Sequence, residues 1–214
     1  NNVKELYRVG SVSTNTIAVS RGNDMGSVRF SFNNTIGDHV MNGMEKQLRN
    51  NFSLRIAQNL SKKVKTNMTV LYTNLKVENR MYQNGSERNP ANNYMFMRPD
   101  MSQENLFPYK DLNNNAIVFN GPFTNPYWNL YENSNGDESN NLVANVSVSW
   151  DIIKGLSLST KVNGAINNRQ DFQFNNKGAA FDPDGLLIKT NSNRQNWNYE
   201  AILNYNKKIK DFSI

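Results

Sequence analysis

The chain has 214 residues and a formal net charge of +6, and its mean hydropathy is negative. No run of about 18 consecutive apolar residues occurs, so the sequence excludes a transmembrane helix. It does not exclude membrane-spanning strands, because these alternate apolar and polar residues and keep the mean hydropathy low. The sequence contains no cysteine, which excludes a disulfide framework and thiolate chemistry.

A period of two residues dominates the chain. Val28, Phe30 and Phe32 alternate with polar residues. Successive residues of a strand point to opposite faces, so this pattern predicts a strand with one apolar face. With a strand before residue 21, we expect about seven antiparallel strands. The same alternation predicts the other strands near 52–57, 66–80, 140–151, 155–170 and 197–205.

The connections between these strands alternate in length. In an up-and-down meander every second connection lies at the same end of the sheet, so short turns gather at one end and long loops at the other. Bacterial outer-membrane barrels have this asymmetry. We therefore predict an all-β fold, an antiparallel up-and-down transmembrane barrel segment with long extracellular loops. Short turns are predicted at 21–25, 61–65, 152–155 and 206–210, and long connections at 35–48, 81–139 and 171–194.

The side chains of the predicted strands support the same interpretation. Trp150 and Tyr205 lie at strand ends beside short turns, where an aromatic ring can sit at a membrane interface with its polar group in water. The alternative is ordinary core packing in a soluble sandwich. Polar residues between the apolar positions are predicted to face a barrel lumen or a plug. They include Arg29, Arg55, Lys161 and Asn163.

The connection 81–139 contains five of the six prolines and is predicted to be a folded extracellular loop. Residues 92–97 are predicted to form a short helical turn that ends at Pro99. Sugars stack their C–H faces on aromatic rings, so an aromatic patch in this loop is a candidate substrate-binding site. The alternative is packing against the barrel wall or a lid protein. The patch consists of Phe123, Tyr127, Trp128 and Tyr131.

No enzyme constellation is found in the sequence. The one histidine, His39, lies in a predicted loop, so a catalytic triad or a histidine metal site lacks its parts. Residues 182–185, Asp-Pro-Asp-Gly, are interpreted as a turn and not as a calcium loop, which needs further spaced carboxylates. The lysine clusters at 62–65 and 207–210 are interpreted as solvated turns. We predict no enzyme activity, no cofactor, no metal and no nucleic-acid partner.

Four stretches, taken in order, carry a family resemblance. They are SRGNDMGSVRFSF at 20–32, LRNNFSLR at 48–55, NPYW at 125–128 followed by Glu132-Asn133, and NVSVSW at 145–150 followed by GLSL at 155–158. Their order and spacing resemble the SusC/RagA-type TonB-dependent outer-membrane transporters over most of the chain.

The resemblance implies a barrel of about 22 strands with an N-terminal plug. It also implies import of oligosaccharides or peptides across the outer membrane of Bacteroidetes-type bacteria, driven by the TonB complex through a TonB box. A SusD-like surface lipoprotein would cover the barrel. Residues 1–214 would form part of the barrel domain, with the 81–139 loop outside the cell. We find no signal peptide, plug or TonB box in this chain, and expect it to be a fragment of a longer protein.

Other classes of protein fit part of the pattern. One is a soluble or secreted β-sandwich that binds glycan through its loop aromatics, and another is an adhesin-like structural sheet. A sandwich has two sheets that face one core, whereas a barrel carries an outward apolar band at constant height on every strand. The position of the apolar faces therefore separates these alternatives.

Overall fold

The computed structural model describes residues 7–44, 46–82, 85–98, 101–120, 123–209 and 212–213. Strands dominate these residues, and the predicted all-β class is confirmed. In chain order the elements are β1 (Ser11–Asn23), β2 (Gly26–Asp38), β3 (Lys46–Asn59), β4 (Val64–Glu78), α1 (Pro90–Met95), a 3-10 helix (Gln103–Leu106), β5 (Val118–Asn120), β6 (Phe123–Thr124), α2 (Pro126–Tyr131), β7 (Ser134–Ile153), β8 (Leu156–Asn175), β9 (Leu186–Tyr205), β10 (Lys208–Ile209) and β11 (Phe212–Ser213).

One seven-stranded antiparallel sheet contains the long strands in the order β1-β2-β3-β4-β7-β8-β9. Each strand pairs with the next long strand of the chain, so the predicted meander of about seven strands is confirmed. β1 and β9 form the two edges of this sheet. The short strands form two separate ribbons, β5 with β6 and β10 with β11.

The last three long strands are longer than the sequence pattern predicts. β7 begins at Ser134, so the connection from β4 covers residues 79–133 and not 81–139. β8 continues to Asn175 and β9 begins at Leu186, which shortens the predicted 171–194 connection to 176–185. The added residues are mostly polar and have low strand propensity. These residues adopt strand conformation because they pair with a neighbouring strand. In β7, for example, the pairing with β8 starts at Ser134 opposite Phe174.

The register gathers most of the large apolar residues of the seven strands on one face. Direct partners in an antiparallel sheet project from the same face. Phe32 lies opposite both Ile17 and Phe52, and the row continues through Tyr72 and Leu142. We call this side, which carries Phe32 and every second residue from it, the apolar face. The other side, which carries Arg29 and its partners, is the polar face.

The four predicted polar residues lie on the polar face. Arg29 is the direct partner of Arg55, and Asn163 is the direct partner of Asn145 in the same row of the sheet. Lys161 lies two residues from Asn163 along β8. Leu71, which interrupts the alternation of β4, also lies on the polar face and pairs with Val143.

Tight turns close the sheet at one end. The side chain of Asn23 accepts hydrogen bonds from the backbone N–H groups of Met25 (2.9 Å) and Gly26 (3.1 Å). Ser61 does the same for Lys63 and Val64, each at 3.1 Å. The predicted turn at 206–210 extends to Lys210, which lies outside the described residues. The three longer connections all lie at the other end of the sheet, as the alternation predicts.

No helix within the described ranges is both long enough and apolar enough to cross a membrane.

Candidate functional site at the loop end of the sheet

The three longer connections form one folded unit, which we call the loop assembly. It consists of the described residues within 39–44, 79–133 and 176–185. Its core combines side chains from the first two connections, although they are far apart in sequence. The buried residues of this core are Met41, Met44, Tyr94, Met97, Leu106, Tyr127 and Leu130. The loop assembly therefore has a hydrophobic core of its own, separate from the faces of the sheet.

Two short helices in this unit begin with the same local chemistry. Asn89 and Asn125 cap α1 and α2, and each helix has proline at its first position. Their side chains accept hydrogen bonds from Ala91 N–H (3.0 Å) and Tyr127 N–H (2.9 Å). Asn-Pro is a favourable helix start, because asparagine satisfies a free N–H group and proline needs none. α1 thus begins at Pro90, two residues before the predicted 92–97 turn, and ends at Met95.

The cap of α2 is also a tertiary contact. The Asn125 side chain is fully buried and donates a hydrogen bond to the carbonyl of Leu106 at 2.8 Å. One amide therefore begins the helix and fixes it against the 3-10 helix. This contact explains why the NPYW stretch adopts one position within the loop assembly.

The predicted aromatic patch divides between the core and the surface. Trp128 is fully buried and Tyr127 is 7% exposed, so protein covers their rings. Phe123 stacks on Phe96 with ring centroids 4.3 Å apart. Tyr131 is 55% exposed and lies 5.8 Å from the Tyr127 ring. Of the four predicted substrate contacts, Tyr131 has the most open ring, and Tyr127 and Trp128 are packing residues in this structure.

Glu132 joins two loops through its carboxylate. It accepts hydrogen bonds from Tyr109 Oη and Lys110 Nζ, each at 3.0 Å, and from Asn176 Nδ2 at 2.8 Å. Burial alone would raise the pKa of Glu132, but the bonds from Lys110, Asn176 and Tyr109 outweigh it and lower the pKa. The carboxylate is therefore held in its ionised form at neutral pH.

Arg88 makes a second link between the same two loops. Its guanidinium donates two hydrogen bonds of 2.8 Å to the carboxylate of Asp182, which also accepts one from Asn175 at 2.9 Å. Asp182 begins the predicted Asp-Pro-Asp-Gly turn, which closes with Gly185 N–H on the Asp182 carbonyl at 3.1 Å. This carboxylate binds an arginine, and the residues in the described ranges contain no cluster of metal-ligating side chains.

A polar cavity of about 570 Å³ lies beside Glu132, within the range of small-molecule sites in proteins. Amide and charged groups dominate its wall, so it offers both donors and acceptors to a ligand rich in hydroxyl or amide groups. The lining residues that supply these groups are Lys110, Asn113, Asn114, Asn115, Glu132 and Asn176.

His39 has a structural position in the loop assembly. Its Nδ1 accepts a hydrogen bond from Met41 N–H at 3.1 Å, and its carbonyl accepts one from Arg8 at 3.2 Å. These contacts shape the connection between β2 and β3, beside the buried Met41.

The sequence patterns predict neither the polar cavity nor the ion pair between Arg88 and Asp182. Arg88 and Asp182 are 94 residues apart, and no local pattern pairs them. The one available signal was the Glu132-Asn133 pair at the end of the NPYW stretch, where Asn133 accepts a hydrogen bond from Asn176 N–H at 3.1 Å.

Fold and site together define an all-β protein with one two-faced antiparallel sheet and a folded loop assembly at one end. No profile of a known protein family matches the sequence, and no curated protein matches it at a significant level.

Proposed function

We propose that this chain forms part of the wall of a TonB-dependent outer-membrane transporter of the SusC/RagA type. It would import oligosaccharides or peptides together with a SusD-like surface lipoprotein. The TonB complex would act on parts of the protein outside this chain. The observation that carries the proposal is the exposed apolar face, which extends across the seven strands with one charged residue, Arg21 of the edge strand β1, between the Phe32 row and the tight turns.

The exposure of this face is large and involves big side chains. Ile17 is 66% exposed, Trp197 is 54% and Leu203 is 64%. Soluble monomers rarely expose apolar patches of more than a few hundred Å². The opposite face carries charged and amide side chains, such as Arg29 and Arg55, at the same height. A sheet with lipid on one side and a hydrated lumen on the other has this distribution.

The height of the apolar face suits a bilayer. It extends along β4 from Val64, near the tight turns, to Tyr72, near the loop assembly. Eight residue steps correspond to about 27 Å along a strand. With the usual tilt of membrane strands this becomes about 20 Å along the membrane normal, close to the apolar band of about 25 Å in outer-membrane barrels.

We call the part of the apolar face between the Val64 row and the Tyr72 row the apolar band, and aromatic residues lie at both of its ends. Trp150 is the direct partner of Val64, and Tyr205 is the direct partner of Leu156 beside the next tight turn. Tyr72 stands at the other limit and donates a hydrogen bond from its hydroxyl to Asn140 at 2.7 Å. Rings in the band with polar groups directed out of it are typical of a membrane interface.

The polar cavity of the loop assembly supports the substrate class. Its amide and charged groups match the hydroxyls of an oligosaccharide or the backbone of a peptide. A β-sandwich would need a second sheet over the apolar face. In the described part of the chain, the sheets other than the seven-stranded one are the two ribbons β5–β6 and β10–β11.

Two neighbouring substitutions in the complete protein test the membrane position. Val146 of β7 lies in the middle row of the apolar band between Met68 and Val162, and Ser147 points to the polar face. We expect Val146→Arg to destabilise the membrane-inserted form by about 2–4 kcal/mol, because it places a charge against lipid. Ser147→Arg, the matched control, should insert normally. Heat-modifiable electrophoretic mobility of outer-membrane fractions measures insertion, and equal insertion of both variants would contradict the proposal.

Growth tests the transport activity. A strain that lacks the complete protein should lose growth on one oligosaccharide or peptide source and keep growth on its monosaccharides or amino acids. Loss of TonB function should reproduce the defect. Unchanged growth on every such source would exclude nutrient import as the function.

A further inference from the structure

One row of the sheet consists entirely of asparagine. The register aligns one asparagine from each long strand, so the row crosses the whole sheet at one height. We call it the asparagine row. From β1 to β9 its members are Asn15, Asn34, Asn50, Asn74, Asn140, Asn168 and Asn193.

The amides of this row bind one another. Asn34 Nδ2 donates to Asn50 Oδ1 at 2.7 Å, and Asn74 Nδ2 donates to Asn140 Oδ1 at 2.9 Å. Asn193 donates to Asn168 in the same way. Asn74 Nδ2 also donates to Glu138 at 3.1 Å, and Asn140 Oδ1 also accepts from the Tyr72 hydroxyl at 2.7 Å, so these two groups are fully used. An amide has two N–H donors and two acceptor lone pairs, so the other amide groups of these pairs keep spare capacity. The row therefore offers further donors and acceptors through those groups.

The row lies on the apolar face, directly above the Phe32 row. That lower row contains Phe32, Phe52 and Tyr72, whose neighbouring ring centroids are 4.7 and 6.0 Å apart. The row directly above the asparagines is polar on five strands and apolar on β2 and β3, where it carries Ile36 and Leu48. Neutral amides thus separate a mostly apolar row from a mostly polar one.

Composition does not explain this alignment. The sequence has about 40 asparagines, but on the apolar face of the seven strands they concentrate at one height. Below the row, this face carries one asparagine, Asn23 at the end of β1. Asparagine is also unfavourable in strands, so seven at one level need a cause other than strand formation.

We propose that the asparagine row binds the ester and head-group region of the outer-leaflet lipids and marks the level where the hydrocarbon ends. This inference rests on the proposed membrane position of the sheet. An amide is costly in hydrocarbon and is satisfied at the interface, where lipid carbonyls accept hydrogen bonds and head-group hydroxyls and water both donate and accept them. A neutral row binds at this level without depending on the charge of the lipid.

Spin-label depth measurements on the complete protein in phosphatidylethanolamine–phosphatidylglycerol vesicles test this proposal. Because the chain has no cysteine, one introduced cysteine is a unique label site within it. Labels on the apolar face of β3 would replace residues 48, 50, 52, 54 and 56 in turn. We expect accessibility to oxygen to dominate at 52–56 and accessibility to a polar nickel reagent to dominate at 48, with the crossover at position 50.

Leucine variants test the cause of the crossover. The triple variant N34L/N50L/N74L extends the apolar surface of β2–β4 by one row towards the loop assembly. Labels at 48 and 52 should then report that the crossover from oxygen to nickel accessibility is displaced by about 5 Å in that direction. The control N33L/N51L/N141L changes amides one residue away that point to the polar face, and should leave the crossover in place.

The outcomes separate the two proposals. A crossover at another row in the unsubstituted protein, or no displacement in the triple variant, overturns the role of the asparagine row and leaves the membrane position intact. If the triple variant does not fold, the depth profile of the unsubstituted protein still tests whether the crossover lies at the asparagine row. A face with no oxygen-accessible region at all overturns the proposed function as well.

Discussion

At the scale of single residues, the loop assembly depends on side chains that join segments distant in sequence. Glu132 accepts bonds from Tyr109 and Lys110 on its own connection and from Asn176 on the next. Trp128, four residues earlier, is fully buried. Within the described residues its indole N–H has no hydrogen-bond partner. Glu132 thus contributes directional hydrogen bonds to the loop assembly, and Trp128 contributes apolar volume.

The lowered pKa of Glu132 predicts a pH dependence of the loop assembly. A carboxyl group whose pKa is lowered by folding stabilises the folded form above its ordinary titration range, and this contribution is lost as the pH falls through the folded pKa. We expect the hydrogen-exchange protection factors of 126–133 and 176–178, which are corrected for the intrinsic pH dependence of exchange, to fall in acid. Glu132→Gln should exchange faster at neutral pH and lose this acid step.

A loop carboxylate elsewhere provides the control for this prediction. Glu104 is exposed in the 3-10 helix, and Glu104→Gln should keep the acid step unchanged. If the acid step persisted in Glu132→Gln, another group would be responsible for it.

At the scale of elements, close packing between β8 and β9 depends on a glycine. A Cβ atom at Gly164 would lie 2.5 Å from the ring of its direct partner Trp197. The indole therefore lies over the glycine on the apolar face, and the pair fills one position of the band.

Substitution of this glycine has a predictable cost. We expect Gly164→Val to turn the Trp197 ring outward and to lower the free energy of unfolding by about 1 kcal/mol, at the low end of overpacking costs because the ring is half exposed. Ala165→Val, on the polar face of the same strand, is the control. Urea unfolding and the difference in tryptophan fluorescence between each variant and its Trp197→Phe counterpart measure both effects, and equal behaviour of the two variants would refute this account.

Sequence patterns predict the middle of each strand better than its ends. Val28, Phe30 and Phe32 alternate because one face is apolar, and the register confirms that face. Residues 134–139 contain no such alternation, since that part of β7 lies above the apolar band. Their strand conformation depends on pairing with β8, which is a tertiary property.

The aromatic patch is predicted from residue types alone, and residue types do not report exposure. The structure places Phe123, Tyr127, Trp128 and Tyr131 in the loop assembly. The burial of Tyr127 and Trp128 depends on packing within the loop assembly, to which Met41 and Met44 of another connection contribute. Hydrophobic periodicity does not report such contacts between loops, so sequence reasoning could not distinguish packing rings from open ones.

At the scale of the whole molecule, both edges of the sheet are open. β1 and β9 each pair on one side only, and unpaired strand edges readily pair with another chain. In detergent we expect this 214-residue chain to self-associate through these edges. Size-exclusion chromatography with light scattering measures its state of association, and a monodisperse monomer would contradict the edge argument.

The seven-stranded sheet also contains two groups of strands with different chain connections. β1–β4 form one ladder and β7–β9 another, and within each ladder partners are joined by short segments. The one junction between them, β4 with β7, closes residues 79–133 into a loop. Closing a longer loop costs more conformational entropy, and contacts distant in sequence slow folding. We therefore expect the two ladders to form first and to join along β4–β7 last. A chain cut in the exposed 113–115 turn would retain both ladders and could reassemble from its two fragments.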